Sequence, residues 1–68
     1  MYRIELTNAE EILINSRDFY IKREAIEIYY TILNNKCYRN NYKGLTIRLY
    51  HGTDQENLTE LEKYTIIL

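Results

Sequence analysis

The sequence predicts an α+β domain: an antiparallel sheet of four strands in the order ββαββ, with one helix packed across one face. Three observations carry this. Lys22–Asn35 has the periodicity of an amphipathic helix, Tyr2–Leu6 and Leu45–Tyr50 alternate as half-buried strands do, and 68 residues make room for one small domain spanning 1–68.

The helix is the most legible element. At 100° per residue, Ala25, Ile26, Tyr29, Ile32 and Leu33 fall within about a third of the wheel, with Arg23, Glu24, Glu27, Thr31 and Asn34 opposite. Glu24 and Glu27 suit the positive end of the helix dipole and Lys36 the negative end. Asn34-Asn35 reads as a stop, because Asn tolerates the left-handed conformation that ends many helices. Asp18 is a candidate cap at the start, in competition with a strand that ends at Phe19-Tyr20.

Ahead of the helix, Tyr2, Ile4 and Leu6 point one way and Arg3 and Glu5 the other. Asn8 gives Thr7–Glu10 turn character, and a second strand from about Glu11 to Arg17 returns as a hairpin, with Phe19 reaching into the core. A competing reading starts a helix at Asn8, since Asn8 and Glu11 imitate a capping box. The strand is preferred because Ile and Asn are poor helix formers.

Beyond the helix, Lys36–Gly44 reads as a loop. Leu45–Tyr50 is the cleanest strand, and His51–Asp54 its turn. Thr53 with Glu56 imitates a capping box, and Leu58 with Leu61 has helical spacing, but Tyr64–Leu68 has strand composition. The prediction is a hairpin returning beside Leu45–Tyr50, with an irregular turn near Asn57–Leu61.

Composition bounds the function. At 46% hydrophobic residues with eight Tyr, the chain is too apolar to be disordered. So small a domain buries limited surface, so a homo-oligomer is expected. The single Cys37 excludes an intrachain disulfide and points to a reducing compartment. No apolar run approaches the roughly 20 residues that span a membrane. Arg3 and Glu5 inside an alternating pattern do not read as a signal peptide. The expectation is a cytoplasmic protein without membrane contact.

Catalysis finds little to work with. His51 and Cys37 are each the only residue of their kind, so no metal-binding His pair exists and a Cys–His nucleophile would need those two to meet. Glu10-Glu11 and Glu60/Glu62 are paired only in sequence, and a glycosidase would hold its two carboxylates across a cleft. Gly44 and Gly52 build no phosphate loop. No enzyme, cofactor or metal is expected.

Net charge is −1, yet Glu27 and Asp54 bracket an interval without acids that holds Lys36, Arg39, Lys43, Arg48 and His51. A basic middle between acidic ends suits an anionic partner and equally a second copy of the chain. Within it, Lys36, Arg39 and Lys43 alternate with Tyr38 and Tyr42, cations for phosphates and rings for unpaired bases. The second candidate surface is the sheet face away from the helix, where Arg3, Glu5, Thr46, Arg48, Tyr50 and Thr65 should lie together. Arg and Tyr are enriched at binding hot spots. The candidate partner-binding residues are therefore Lys36, Tyr38, Arg39, Tyr42, Lys43, Arg48 and Tyr50.

The stretches MYRIEL, REAIEIYYTIL and GLTIRLY resemble those of short proteins encoded by phages and prophages of AT-rich bacteria. Many of these are tiny, Tyr- and Asn-rich single domains, and some bind and block a host enzyme or an antiviral nuclease complex. The resemblance implies a binding protein without catalysis and carries over no site residue. The leading expectation is a small protein-interaction factor, an inhibitor of a host or defence protein. The alternative is a nucleic-acid binder that uses residues 36–43.

Overall fold

The computed structural model describes residues 1–67. Four antiparallel strands, β1 (Tyr2–Thr7), β2 (Leu13–Phe19), β3 (Thr46–Gly52) and β4 (Leu58–Thr65), form one sheet in the order β2-β1-β3-β4. Helices α1 (Lys22–Asn34) and α2 (Lys36–Asn41) connect β2 to β3. Both β2 and β3 run antiparallel to β1, so they are parallel to each other and the helical segment crosses over β1, which lies between them.

The core is the meeting of two periodicities. Ile4 and Leu6 of β1 face Leu49 and Ile47 of β3, and Ala25, Tyr29 and Ile32 of α1 cover them. Ala25 and Ile47 are fully buried and Tyr29 is 1% exposed. Each fully buried Leu or Ile here contributes roughly 1.5–3 kcal/mol. Ile26, Ile28 and Leu33 are half-buried around this centre. Phe19 reaches in from the end of β2, as expected. Ile66, just past β4, closes the opposite side: it is fully buried, donates its N–H to Leu45 O at 2.8 Å and accepts from Gly44 N at 2.8 Å.

Several local expectations are corrected. Lys36–Asn41 is a helix rather than a loop, because Asn35 starts a helix instead of closing one in the left-handed region. Its backbone is extended (φ −90°, ψ 123°), and its side chain accepts from Cys37 N at 2.9 Å and Tyr38 N at 3.2 Å. The crossover therefore holds two helices where one was predicted. Asp18 is not the cap of α1: it lies within β2, and Ile21 occupies the cap position without a side-chain bond. The second strand is Leu13–Phe19 rather than 11–17, since the turn from β1 runs further. There Asn8 Oδ1 accepts from Glu10 N and Ile12 N, and Glu11 takes a positive φ of 62°. Neither imitation capping box opens a helix. The second is an Asx-type turn, in which Asp54 Oδ1 accepts from Glu56 N at 2.9 Å and Asn57 N at 3.0 Å. That turn ends before Leu58, and the irregularity of β4 is a bulge opposite Leu49/Tyr50. Ile66 and Ile67 follow the strand rather than extend it, and Leu68 lies outside the described residues.

Candidate functional site

The seven residues singled out from the sequence divide between two surfaces. Tyr38, Arg39 and Tyr42 lie on or just after α2, on the helical side of the sheet, with Lys36 and Lys43 exposed at either end of that segment. Arg48 and Tyr50 lie on the opposite face of β3. The register places Arg3 opposite Tyr50, Glu5 opposite Arg48 and Thr46 opposite Thr65, so the expected shared face does form.

That face is largely engaged with itself. Arg3 grips Asp18 in a two-point bond, Nε to Oδ1 at 2.6 Å and a terminal nitrogen to Oδ2 at 3.2 Å. This bond is the main reason that the Asp18 carboxyl is held below its usual 3.8 and the Arg3 guanidinium above its usual value. Arg48 donates to Thr7 Oγ1 at 2.6 Å and pairs with Glu60 at 3.2 Å. Burial, with Glu5 behind it, pushes the Tyr50 phenol up, although Arg48 pulls the other way.

The basic-aromatic segment is similarly committed. Arg39 donates to Leu33 O at 2.7 Å and to Ile67 O at 2.6 Å, and its guanidinium lies 5.8 Å from the Tyr64 ring centroid. Tyr38 and Tyr42 stack on each other at 6.1 Å. The two residues that a nucleophile pair would need lie apart. Cys37 is exposed in the first turn of α2, on the segment leading into the start of β3, whereas His51 stacks on Tyr2 at the other end of that strand. The five residue steps from Thr46 to His51 span about 17 Å of strand.

The unassigned surface is the β2 edge. Both β2 and β4 are sheet edges, but they differ in character. β4 carries Glu60, Glu62 and Lys63 along its length, the charge pattern that discourages strand addition. β2 is flanked by large exposed apolar side chains: Ile12 (58%), Leu13 (52%) and Ile14 (54%) at its start, and Tyr20 (85%) and Ile21 (54%) beyond its end. Ile14 is the extra residue of a bulge, since Leu6 faces Asn15 while Thr7 already faces Leu13.

Beside this edge runs a groove of about 170 Å³ between the helices and the sheet. Ile4 and Leu6 form its floor, Phe19, Ile28 and Ile32 its sides, and Tyr38 and Tyr42 part of its rim. Arg17 lies along it, with its guanidinium 4.9 Å from the Phe19 ring centroid. α1 sits over β1 and approaches β2 and β3 alike, and the groove opens between Ile28, Thr31 and Ile32 of α1 and Asn15, Ser16 and Arg17 of β2. Of the sequence-predicted residues, only Tyr38 and Tyr42 line it. Ile12–Ile14 flank the edge without lining the groove, and their signal is in the sequence: three consecutive apolar residues cannot all face one side of a strand whose period is two.

Among the described residues, no group of three His, Cys, Asp or Glu side chains converges as a metal site would, and no helix is long and apolar enough to cross a membrane. Comparison with family models, characterised proteins and solved structures finds no match to this chain, so function is argued from the surface itself.

Proposed function

We propose that this chain is a small, non-catalytic protein-interaction factor that contacts its partner through the β2 edge and the adjoining groove. One observation carries the reading: five large apolar side chains are exposed around the less charged of the two sheet edges, next to a groove with an apolar floor and a polar side formed by Asn15, Ser16 and Arg17. An extended segment added to β2 would gain main-chain hydrogen bonds from the edge and side-chain contacts from the groove. Inhibition of a host or antiviral-defence protein by a phage-encoded factor is the specific form of this reading, supported by the resemblance of MYRIEL, REAIEIYYTIL and GLTIRLY to such proteins.

Nucleic-acid binding through residues 36–43 is the weaker reading. It needs a free Arg39 and separated tyrosine rings, whereas Arg39 is bonded to two carbonyls and the rings of Tyr38 and Tyr42 stack together.

The test is site-specific photocrosslinking. A benzophenone amino acid replaces Tyr20 in one variant and Gln55, on the β3–β4 turn, in another. Each is irradiated in cell lysate with the tagged chain present. Protein adducts from position 20 that position 55 does not give are the expected result. Equal labelling from both positions, or none from position 20, would overturn the assignment.

A further inference from the structure

We infer that the β2 edge takes an extended segment of a partner protein with three side chains on its groove side, at alternate positions: an aromatic ring, a carboxylate and a cation. They lie in that order beside Asn15, Arg17 and Phe19. The inference rests on reading this edge as a protein-contact surface, and it states the chemistry of the occupant.

The register sets the positions. Asn15 lies opposite Leu6, Arg17 opposite Ile4 and Phe19 opposite Tyr2, so these three side chains share the face that α1 covers. Ser16 and Asp18 lie opposite Glu5 and Arg3 on the other face, where Arg3 already grips Asp18. A strand added outside β2 would lie about 4.8 Å from it. Every second residue of that strand would face the groove, each beside one of the three.

The groove supplies the anchor. Its volume of about 170 Å³ is close to the ~150 Å³ of an apolar cavity that holds a benzene ring. A long side chain beside Asn15 can lean over that short residue, as aromatic side chains do towards diagonal neighbours in a sheet. Its ring would meet Leu6, Ile28 and Ile32 below and the stacked Tyr38 and Tyr42 at the rim.

Charge sets the rest. The Arg17 guanidinium lies 4.9 Å from the Phe19 ring centroid, and among the described residues it forms no ion pair. A carboxylate beside it would supply the missing partner. Arg17 and Phe19 also line a second recess, which Glu24 and Glu27 border. Glu27 has only Arg23 at 4.0 Å, with both side chains mostly exposed, and Glu24 forms no ion pair among the described residues. A cation beside Phe19 would meet both carboxylates. A segment of the opposite polarity would set like charges together at both places, which is destabilising.

Fluorescence polarisation with two labelled heptapeptides, TFTDTKT and TKTDTFT, tests this; they carry the pattern in the two strand directions. At least one should bind the wild-type chain with a Kd between about 10 μM and about 1 mM. Replacing the Asp of that peptide by Lys, or its Phe by Ala, should weaken binding about tenfold or more, and neither measurement needs a variant chain to fold. Arg17→Glu should reverse the preference between the Asp and Lys forms. In a nuclear magnetic resonance titration, the amide signals of Asn15, Arg17 and Thr31 should shift and those of β4 should not. No binding of either peptide up to about 1 mM overturns the inference. So does equal binding of the Asp and Lys forms, or a shift centred on β4. Peptide failure alongside adducts from position 20 overturns this occupant alone, and adducts at twice 8.3 kDa then assign the edge to a second copy. Failure of both overturns the contact surface as well.

Discussion

Arg39→Ala separates a structural arginine from a phosphate-binding one. The guanidinium joins three parts of the chain: it leaves α2, donates to Leu33 O near the end of α1, and donates to Ile67 O beyond β4. A hydrogen bond from a charged donor is worth roughly 1.5–3 kcal/mol when buried, and partial exposure reduces it. With Arg39 half-buried, the two bonds together should contribute about 2 kcal/mol. Removing them should lower Tm by roughly 8–16 °C in a domain this small. Arg39→Lys keeps the charge but offers a single point donor, so it should lose about 1 kcal/mol. Urea unfolding followed by circular dichroism, with the midpoint read at constant slope, measures both. If Arg39→Ala unfolds within about 0.5 kcal/mol of wild type, the bracing role is wrong. If the same variant instead loses salt-dependent affinity for single-stranded nucleic acid, the alternative function gains ground.

The remaining predictions concern the sheet and its turns. Gly52→Ala should destabilise by about 2 kcal/mol or more in thermal unfolding, since an added Cβ would lie 1.9 Å from the Asn57 carbonyl oxygen, a backbone atom with little room to move. Gly44→Ala meets no atom within 4 Å but sits at φ 86°, so its cost should be confined to about 1–2 kcal/mol of backbone strain. Asp18→Asn should cost about 1 kcal/mol at neutral pH. Because the folded carboxyl is held below 3.8, its contribution is present above that pH and is lost as pH falls through the folded value, so wild type and variant should converge in acid unfolding titrations. Ile66→Ala should cost about 2–5 kcal/mol in urea unfolding, as it opens a cavity at a fully buried position.

What could be read from the chain depended on how locally each feature is determined. The helix stripe and the alternation in β1 and β3 are repeated signals, and the structure buries the side chains that they nominate. Asn35 carries a single signal with two meanings, since the same side chain can close one helix or open the next. Only the positions of Cys37 N and Tyr38 N decide between them. Arg39 and Lys43 look alike in sequence, yet one is braced by carbonyls of residues 33 and 67 that only the folded chain brings near. Alternation assigns Arg48 and Tyr50 to the face that they occupy, but their engagement with Thr7, Glu60 and Glu5 depends on a register that alternation cannot supply.

The position of α1 connects the fold to the proposed contact. α1 lies over β1 and approaches β2 and β3 alike, without covering the whole of the four-stranded sheet. Tyr30 reaches β4 through a 2.8 Å bond to Glu62, and Ile66 and Arg39 add to that side, whereas beside β2 Asn15, Ser16 and Arg17 line an open groove. There Leu6 and Ile4 are themselves buried, while the strand outside them is exposed along most of its length. An occupant at this edge would bury exposed apolar surface without unfolding anything already packed. Each aliphatic side chain covered there from half exposure should return roughly 1 kcal/mol, against the freedom lost on association. A domain of this size gains more from such cover than a larger one would, because less of its surface is already buried.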